Sequence, residues 1–340
     1  MKKIPLVIIL ALTAFVAHAQ EAGLRVVASI KPIHSIAAAL MEGVGAPSLL
    51  ITGTTNPHDY RMRPSDAESL QNADVLFWVG PDLEGKSIEA VAQSARIVTL
   101  VPDEGKHDEH GHDGHDEHDH DEHGHDEHGH DEHGHDEHDH GEHGHNGHDH
   151  DEHEHDERER VNPDLHLWLD PHRVEEVVAV MLEALLQTDP DNAPTYRANG
   201  KALLERLHLL DENLRGRINQ LESGRSYIVF HDAYASFENR YGLRSAGALL
   251  SGDPHGHEHS PSAHRLAELR ELLLETSADI GCVFVEPAFD PASAEVLTEG
   301  TDVKTVVLDP LGTSIPPGAD AYFLMMEDLA ASFEECFATP

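Results

Sequence analysis

Between His107 and His155 the chain carries no apolar side chain at all. The segment repeats a His-Gly-His-Asp-Glu pentad with variations and holds 20 of the 31 histidines. Such a stretch cannot bury enough surface to offset the entropy of ordering it, so it should be a disordered loop. Any fold must be assembled from the sequence on either side, with residues 103–160 as an insertion. The formal net charge of −41 divides the same way, since much of it falls between Asp103 and Glu159. Outside that stretch the composition is ordinary for a globular protein. The acidity argues against nucleic-acid binding, which takes a basic footprint, and is compatible with cation capture. At 340 residues the chain is long enough for two domains with sizeable cores.

The first residues have the layout of a secretory signal peptide. Met1-Lys2-Lys3 is a positive start, Ile4 to Val16 an apolar run, and Ala17-His18-Ala19 a small-x-small site with cleavage expected after Ala19. The apolar run falls short of the roughly 18 residues of a membrane span. No cysteine stands at the cleavage site, which argues against a lipid anchor there. The expected location is a periplasm. In that oxidising compartment the two cysteines, Cys282 and Cys336, are most simply a disulfide; two metal-ligating thiolates are the weaker alternative, since neither belongs to a CxxC pair.

Short apolar runs then alternate with helical patterns. Arg25 to Ile30, Asp74 to Gly80 and Ala95 to Leu100 read as strands, with a small-residue helix from about Ser35 to Met41. Pro64-Ser65-Asp66-Ala67-Glu68 reads as a helix start in which Ser65 caps and Glu68 closes a capping box. From Asp189 to about Leu221, apolar residues recur at helical spacing, which predicts one long helix of some 45 Å. A second series follows, with strands at 227–230, 282–285 and 305–308 and helices at 262–274 and 291–299. The pattern predicts an α/β protein of two Rossmann-like lobes with parallel sheets, joined by the long helix. The expected limits are a signal at 1–19, a first lobe at 20–188, a linking helix at 189–222 and a second lobe at 223–340.

Three histidines lie where strands run out. His58 sits in Asn56-Pro57-His58-Asp59-Tyr60, His166 in Leu165-His166-Leu167-Trp168, and His231 directly follows the strand Tyr227 to Phe230. Ligands of open parallel sheets bind at the carboxyl ends of strands, so two lobes face to face could bring these imidazoles to one point in a cleft. Imidazole suits zinc, which takes three of them plus a water or a carboxylate. A single histidine after a strand is, by itself, more often a capping or core residue. Tyr60, Trp168 and Tyr234 flank the three and read as core or cleft walls. His34, His172, His208 and His264 read as surface or helix residues.

In order along the chain stand Asn56-Pro57-His58-Asp59-Tyr60 with Arg63-Pro64-Ser65-Asp66, and Leu165-His166-Leu167-Trp168-Leu169-Asp170-Pro171. Phe230-His231-Asp232-Ala233-Tyr234, Val285-Glu286-Pro287 and Leu308-Asp309-Pro310-Leu311-Gly312 follow. With these five motifs nearly the whole mature chain resembles the zinc-uptake solute-binding proteins of ABC transporters. The resemblance implies a carrier rather than an enzyme, with Zn(II) bound by His58, His166 and His231 between two lobes joined by a rigid helix. It implies a disulfide between Cys282 and Cys336 and a His-rich acidic loop between the first two ligands. Manganese-binding relatives carry a carboxylate at the position of His231 and a ligating aspartate at that of Asp309; imidazole at 231 favours zinc. Some zinc-binding relatives carry a glutamate just before the first histidine, where this chain has Pro57. Water is therefore the first choice for fourth ligand and Asp309 the second. Glu286 is the candidate acceptor that holds a ligand imidazole, a role Asp309 could share. The implied partner is the membrane permease of a zinc importer, with an auxiliary periplasmic zinc chaperone as a further candidate and the receptor itself a monomer.

The tract from His107 to His155 reads as a reservoir of weak zinc sites near the cleft, and His255, His257 and His259 as an auxiliary site. Two other readings of the chain stay open at this level. One is a zinc hydrolase or hydratase, against which stands the absence of an HExxH helix. The other is a metal buffer that serves no transporter. Copper, cobalt and cadmium also suit imidazoles, and protons should compete with any metal as pH falls through the histidine range.

Overall fold

A computed structural model describes residues 23–101, 164–221, 225–250, 261–276 and 279–338. The signal segment, the His-rich tract and His255, His257 and His259 lie outside the described residues.

Eight strands are set by short apolar runs. They are β1 (Val26–Ala28), β2 (Ser48–Leu49), β3 (Val75–Trp78), β4 (Arg96–Thr99), β5 (Ser226–His231), β6 (Gly247–Leu250), β7 (Ile280–Val285) and β8 (Lys304–Val307). Between them run α1 (Lys31–Leu40), α2 (Pro64–Gln71), α3 (Pro81–Glu84), α4 (Ser87–Val91), α5 (Pro171–Thr188), α6 (Ala193–Ile218), α7 (Ala235–Tyr241), α8 (Ala263–Thr276), α9 (Ala292–Thr298) and α10 (Ala321–Phe337). All pairings are parallel, in the orders β2-β1-β3-β4 and β6-β5-β7-β8. The two α/β halves thus repeat one topology. In each, the chain leaves the second-placed strand for one edge and then returns to its other side. That reversal opens a crevice beyond the carboxyl ends of β1 and β3 in one half, and of β5 and β7 in the other. The inner strands β3 and β7 are apolar along their length because both faces are covered.

Several local expectations shift. The first helix begins at Lys31 rather than near Ser35, because Pro32 pre-sets the first turn. At α2, Pro64 takes the first helical position, which makes Arg63 the cap; its N–H donates to Asp66 Oδ2 at 3.1 Å, and neither Ser65 nor Glu68 closes the box. The long helix is shorter than its periodicity suggested. Pro190–Asn192 forms a separate 3-10 turn and α6 then runs 26 residues, about 39 Å at 1.5 Å per residue. Its buried positions Tyr196, Gly200, Leu203, Leu207, Leu210, Leu214 and Ile218 recur every three or four residues. At Gly200 a Cβ would stand 3.0 Å from the Leu182 side chain, so a bare backbone lets α6 lie close against α5.

One apolar cluster runs unbroken through both halves. It joins Val26 and Phe77 of the first sheet, Leu207 and Leu214 of α6, and Phe284 and Phe333 of the second half. Helix α10 packs on both α6 and α1, with Ser35 Oγ accepting the Tyr322 N–H at 2.9 Å. The Cys282–Cys336 disulfide fastens α10 to β7, Cα to Cα 5.2 Å, and both residues are fully buried. A second cluster, with Ile228, Leu249, Val283, Leu269 and Leu297, fills the space under α8 and α9.

The first crevice holds Glu84, whose carboxylate accepts the N–H groups of Val79 at 3.0 Å and Gly80 at 2.9 Å. The Ser29 hydroxyl lies beside it but makes no well-formed hydrogen bond. Burial pushes the Glu84 carboxyl up to about 7, against the pull of those donors. The folded state therefore binds this proton more tightly than the unfolded chain does. The stability it contributes is complete below about pH 4.5 and is lost as pH rises through about 7. The whole contribution is about 3 kcal/mol, because each pH unit between those two values is worth about 1.4 kcal/mol. Denaturant unfolding across this window should show a falling stability that flattens in Glu84→Gln; equal slopes in the two proteins would assign the dependence elsewhere.

Candidate metal centre

The second crevice is where the site is built. His231 ends β5 and Glu286 follows β7, the two strands on either side of the reversal. Parallel pairing brings their side chains together: His231 Nδ1 lies 2.7 Å from Glu286 Oε1. The carboxylate is 5 % exposed and accepts the Nδ1 proton, so Nε2 keeps its lone pair facing outward.

His58 and His166 approach from the first half. Asn56 Oδ1 accepts the His58 N–H at 3.1 Å and so fixes a 3-10 turn, Pro57–Asp59, against which α3 packs. Pro57 anchors the turn as a buried residue, and His58 is exposed at its rim with Nε2 turned toward His166. His166 is the cap of a second 3-10 turn, Leu167–Leu169, anchored by buried Leu167, Trp168 and Leu169. Its own N–H donates to Asp164 Oδ1 at 2.8 Å. Asp164 also accepts a hydrogen bond from the Ser236 hydroxyl on α7 and a contact from Arg173 Nη1 at 3.3 Å. Asp164 thus pins the His166 segment to the helix that follows His231. Its turn onto the His166 N–H is local, but the Ser236 partner lies 72 residues away.

The three imidazoles meet through the same atom. Nε2 of His166 lies 3.3 Å from Nε2 of His58 and 3.4 Å from Nε2 of His231. A tetrahedral zinc with nitrogen at about 2.0–2.1 Å needs ligand-to-ligand edges of about 3.3–3.4 Å. Among the described residues these three form the one cluster of potential ligand atoms close enough to share an ion. The cavity they line has a volume of about 20 Å³, room for about one water-sized particle. Trp168, Phe289, Pro310 and Leu311 wall it with apolar surface. An ion fits there.

Two of the three imidazoles are held toward the neutral form. Burial, and then the neighbouring His231, push the His58 imidazole down to about 4, with Asp59 pulling the other way. Burial holds the His166 imidazole well below the usual imidazole range, helped by His231 and His58. Both rings therefore resist protons at pH values where an ordinary imidazole has lost its lone pair.

The other candidates fall into place. Asp309 Oδ1 accepts the Leu311 N–H at 3.1 Å, while Oδ2 accepts the Thr313 N–H at 2.6 Å and its hydroxyl at 2.7 Å. Its carboxylate is occupied in shaping its own loop. Trp168 and Tyr234 are buried walls, whereas half-buried Tyr60 donates to Asp66 at 2.7 Å. His34 is buried, on α1, with Nε2 3.1 Å from the Pro47 carbonyl. His172, His208 and His264 are exposed beside glutamates on their own helices.

Comparison with known proteins gives a consistent picture. The family model described as "Zinc-uptake complex component A periplasmic" matches residues 26–336. The high-affinity zinc uptake system protein ZnuA of Brucella suis is 39 % identical over 316 residues, 92 % of this chain and 91 % of the relative. That of Paracoccus denitrificans is 40 % identical over 318 residues, with the same coverage of 92 % and 91 %. Among solved structures, the periplasmic zinc binding protein TroA from Treponema pallidum superposes with a TM-score of 0.69 at 18 % identity. That match covers 93 % of this chain and 100 % of TroA, and speaks for the fold.

Proposed function

We propose a capture role for the three imidazoles from one premise: this chain belongs to the periplasmic zinc-uptake complex component A family. The protein is a periplasmic receptor that binds Zn(II) with high affinity for an ABC-type importer, and it is not an enzyme. In our reading His58, His166 and His231 hold the ion through Nε2, and Glu286 keeps His231 in the tautomer that can bind it. The observation that carries this is the pair of Nε2 separations, 3.3 and 3.4 Å, the edge lengths of a tetrahedral zinc site. Water takes the fourth position, since the Asp309 oxygens are already engaged within their loop.

Burial keeps His58 and His166 neutral in the empty site, so zinc finds lone pairs rather than protons. The permease then takes the ion from the mouth formed by the exposed His58 turn.

Further parts of this reading rest on sequence. The mature chain begins after Ala19, and its lobes occupy 20–188 and 223–340, linked by the stretch 189–222 that carries α6. The tract His107 to His155 feeds zinc to the cleft, with His255, His257 and His259 as an auxiliary weak site, and it offers an auxiliary periplasmic chaperone a place to exchange metal. The receptor works as a monomer, in keeping with a site whose three imidazoles and Glu286 come from one chain.

Deleting residues 106–157 tests the assignment. The shortened protein should keep one tight zinc per molecule by equilibrium dialysis and show no esterase or hydratase turnover. Loss of tight binding would place the site in the tract and make the protein a buffer. Turnover would reopen the hydrolase reading.

A further inference from the structure

Lys31 is the first residue of α1, directly beyond the end of β1, and is only 8 % exposed. A buried ammonium needs every proton accepted. Here Nζ donates to the carbonyls of Gly312 at 2.5 Å, Thr313 at 3.0 Å and Ile315 at 2.7 Å. All three belong to the loop after β8, in the opposite half. The loop is a shaped object: Asp309 ties its amides together, and Gly312 takes a left-handed φ of 58° in a space where a Cβ would meet Ile315 and Met325 at 3.2 Å. Burial holds the Lys31 ammonium below the usual lysine range, with the Asp309 charge pulling the other way.

The same loop forms one wall of the metal cavity, through Pro310 and Leu311. The Pro310 carbonyl accepts the Trp168 Nε1–H at 2.8 Å. The Trp168 ring stands edge-on to the His166 ring, centroids 5.3 Å apart. A continuous line of contacts therefore runs from a cation in the first half, through a loop of the second, to the imidazole at the centre of the site.

We propose that Lys31 is a positioning residue for zinc retention: by clamping three carbonyls of the Gly312–Ile315 loop it holds Trp168, and through it His166, in the binding orientation. The inference rests on the reading that His58, His166 and His231 hold the ion. Without the ammonium, three carbonyls lose a charge-assisted partner and the loop gains conformations. His166 then has to be ordered each time zinc binds, and the ion leaves faster.

The test uses the full chain, loaded with zinc and challenged with excess chelator, with tryptophan emission following release from the cleft. Lys31→Ala and Lys31→Met should each release zinc about tenfold faster, the lower end of what outer partners of a metal site contribute. Added n-propylammonium, which replaces the missing atoms, should restore slow release in Lys31→Ala but not in Lys31→Met, where the space is filled. Arg217→Ala serves as the control. It breaks the α6–α10 pair with Glu334, at 2.7 and 2.9 Å, and should lower the melting temperature while leaving release unchanged. The proposal is overturned if both Lys31 variants release at the native rate, or if faster release is not rescued and Arg217→Ala reproduces it. His166→Ala in the same series separates the two levels: if it leaves retention intact, the zinc-site reading fails, and if it abolishes retention while Lys31 variants behave as native, only the role of Lys31 fails. Should Lys31→Ala not fold, release from Lys31→Met decides.

Discussion

His166→Ala is expected to abolish tight zinc retention in the cleft, with a larger loss than any change outside the three imidazoles. His166 is the middle of the trio, since its Nε2 faces those of both His58 and His231. A structural zinc site of four ligands is worth about 10–16 kcal/mol, so one ligand carries about 3 kcal/mol and its removal weakens binding about 100- to 1000-fold. Glu286→Ala provides the scale: it leaves three imidazoles but frees the His231 tautomer, and should weaken binding about 10- to 100-fold. Competition titration against a chelator, in the protein lacking residues 106–157, measures both. Equal affinities in His166→Ala and the parent would remove His166 from the site. An effect of Glu286→Ala as large as that of His166→Ala would mean that the carboxylate itself contacts the ion.

Replacing both Cys282 and Cys336 by serine should lower unfolding stability by about 4 kcal/mol. The bridge closes a loop of 54 residues, and restricting a loop of that length in the unfolded chain accounts for about 4 kcal/mol. Burial adds a second penalty, because two hydroxyls would stand without partners in space that is fully closed to water. Denaturant unfolding of the double variant against the oxidised parent gives the number. A loss under about 1 kcal/mol would show that packing of Phe333 and Phe337 alone anchors the helix.

Much of the fold was legible because parallel strands buried on both faces announce themselves as apolar runs. Val75–Trp78 and Ile280–Val285 are such runs, and their spacing already implied two halves. Gly247–Leu250 was not legible, since four residues beginning with glycine give no period to read. Helices α5 and α10 were equally hard to read: α5 follows its motif directly, and α10 is apolar around much of its circumference because it is clasped between α1, α6 and the second sheet. Of the three histidines expected at strand ends, only His231 ends a strand, while His58 and His166 sit at 3-10 turns; their convergence was not local information and came from the resemblance of five ordered motifs. Lys31 left no trace in the sequence, because its partners are backbone carbonyls 281 to 284 residues away, which any sequence possesses.

The unbroken seam of apolar side chains from Phe77 through Leu214 to Phe333 has a consequence for traffic at the membrane. Prising the halves apart would wet that seam at about 25 cal/mol for each Å² exposed, so no jaw-like swing is available to advertise a cargo.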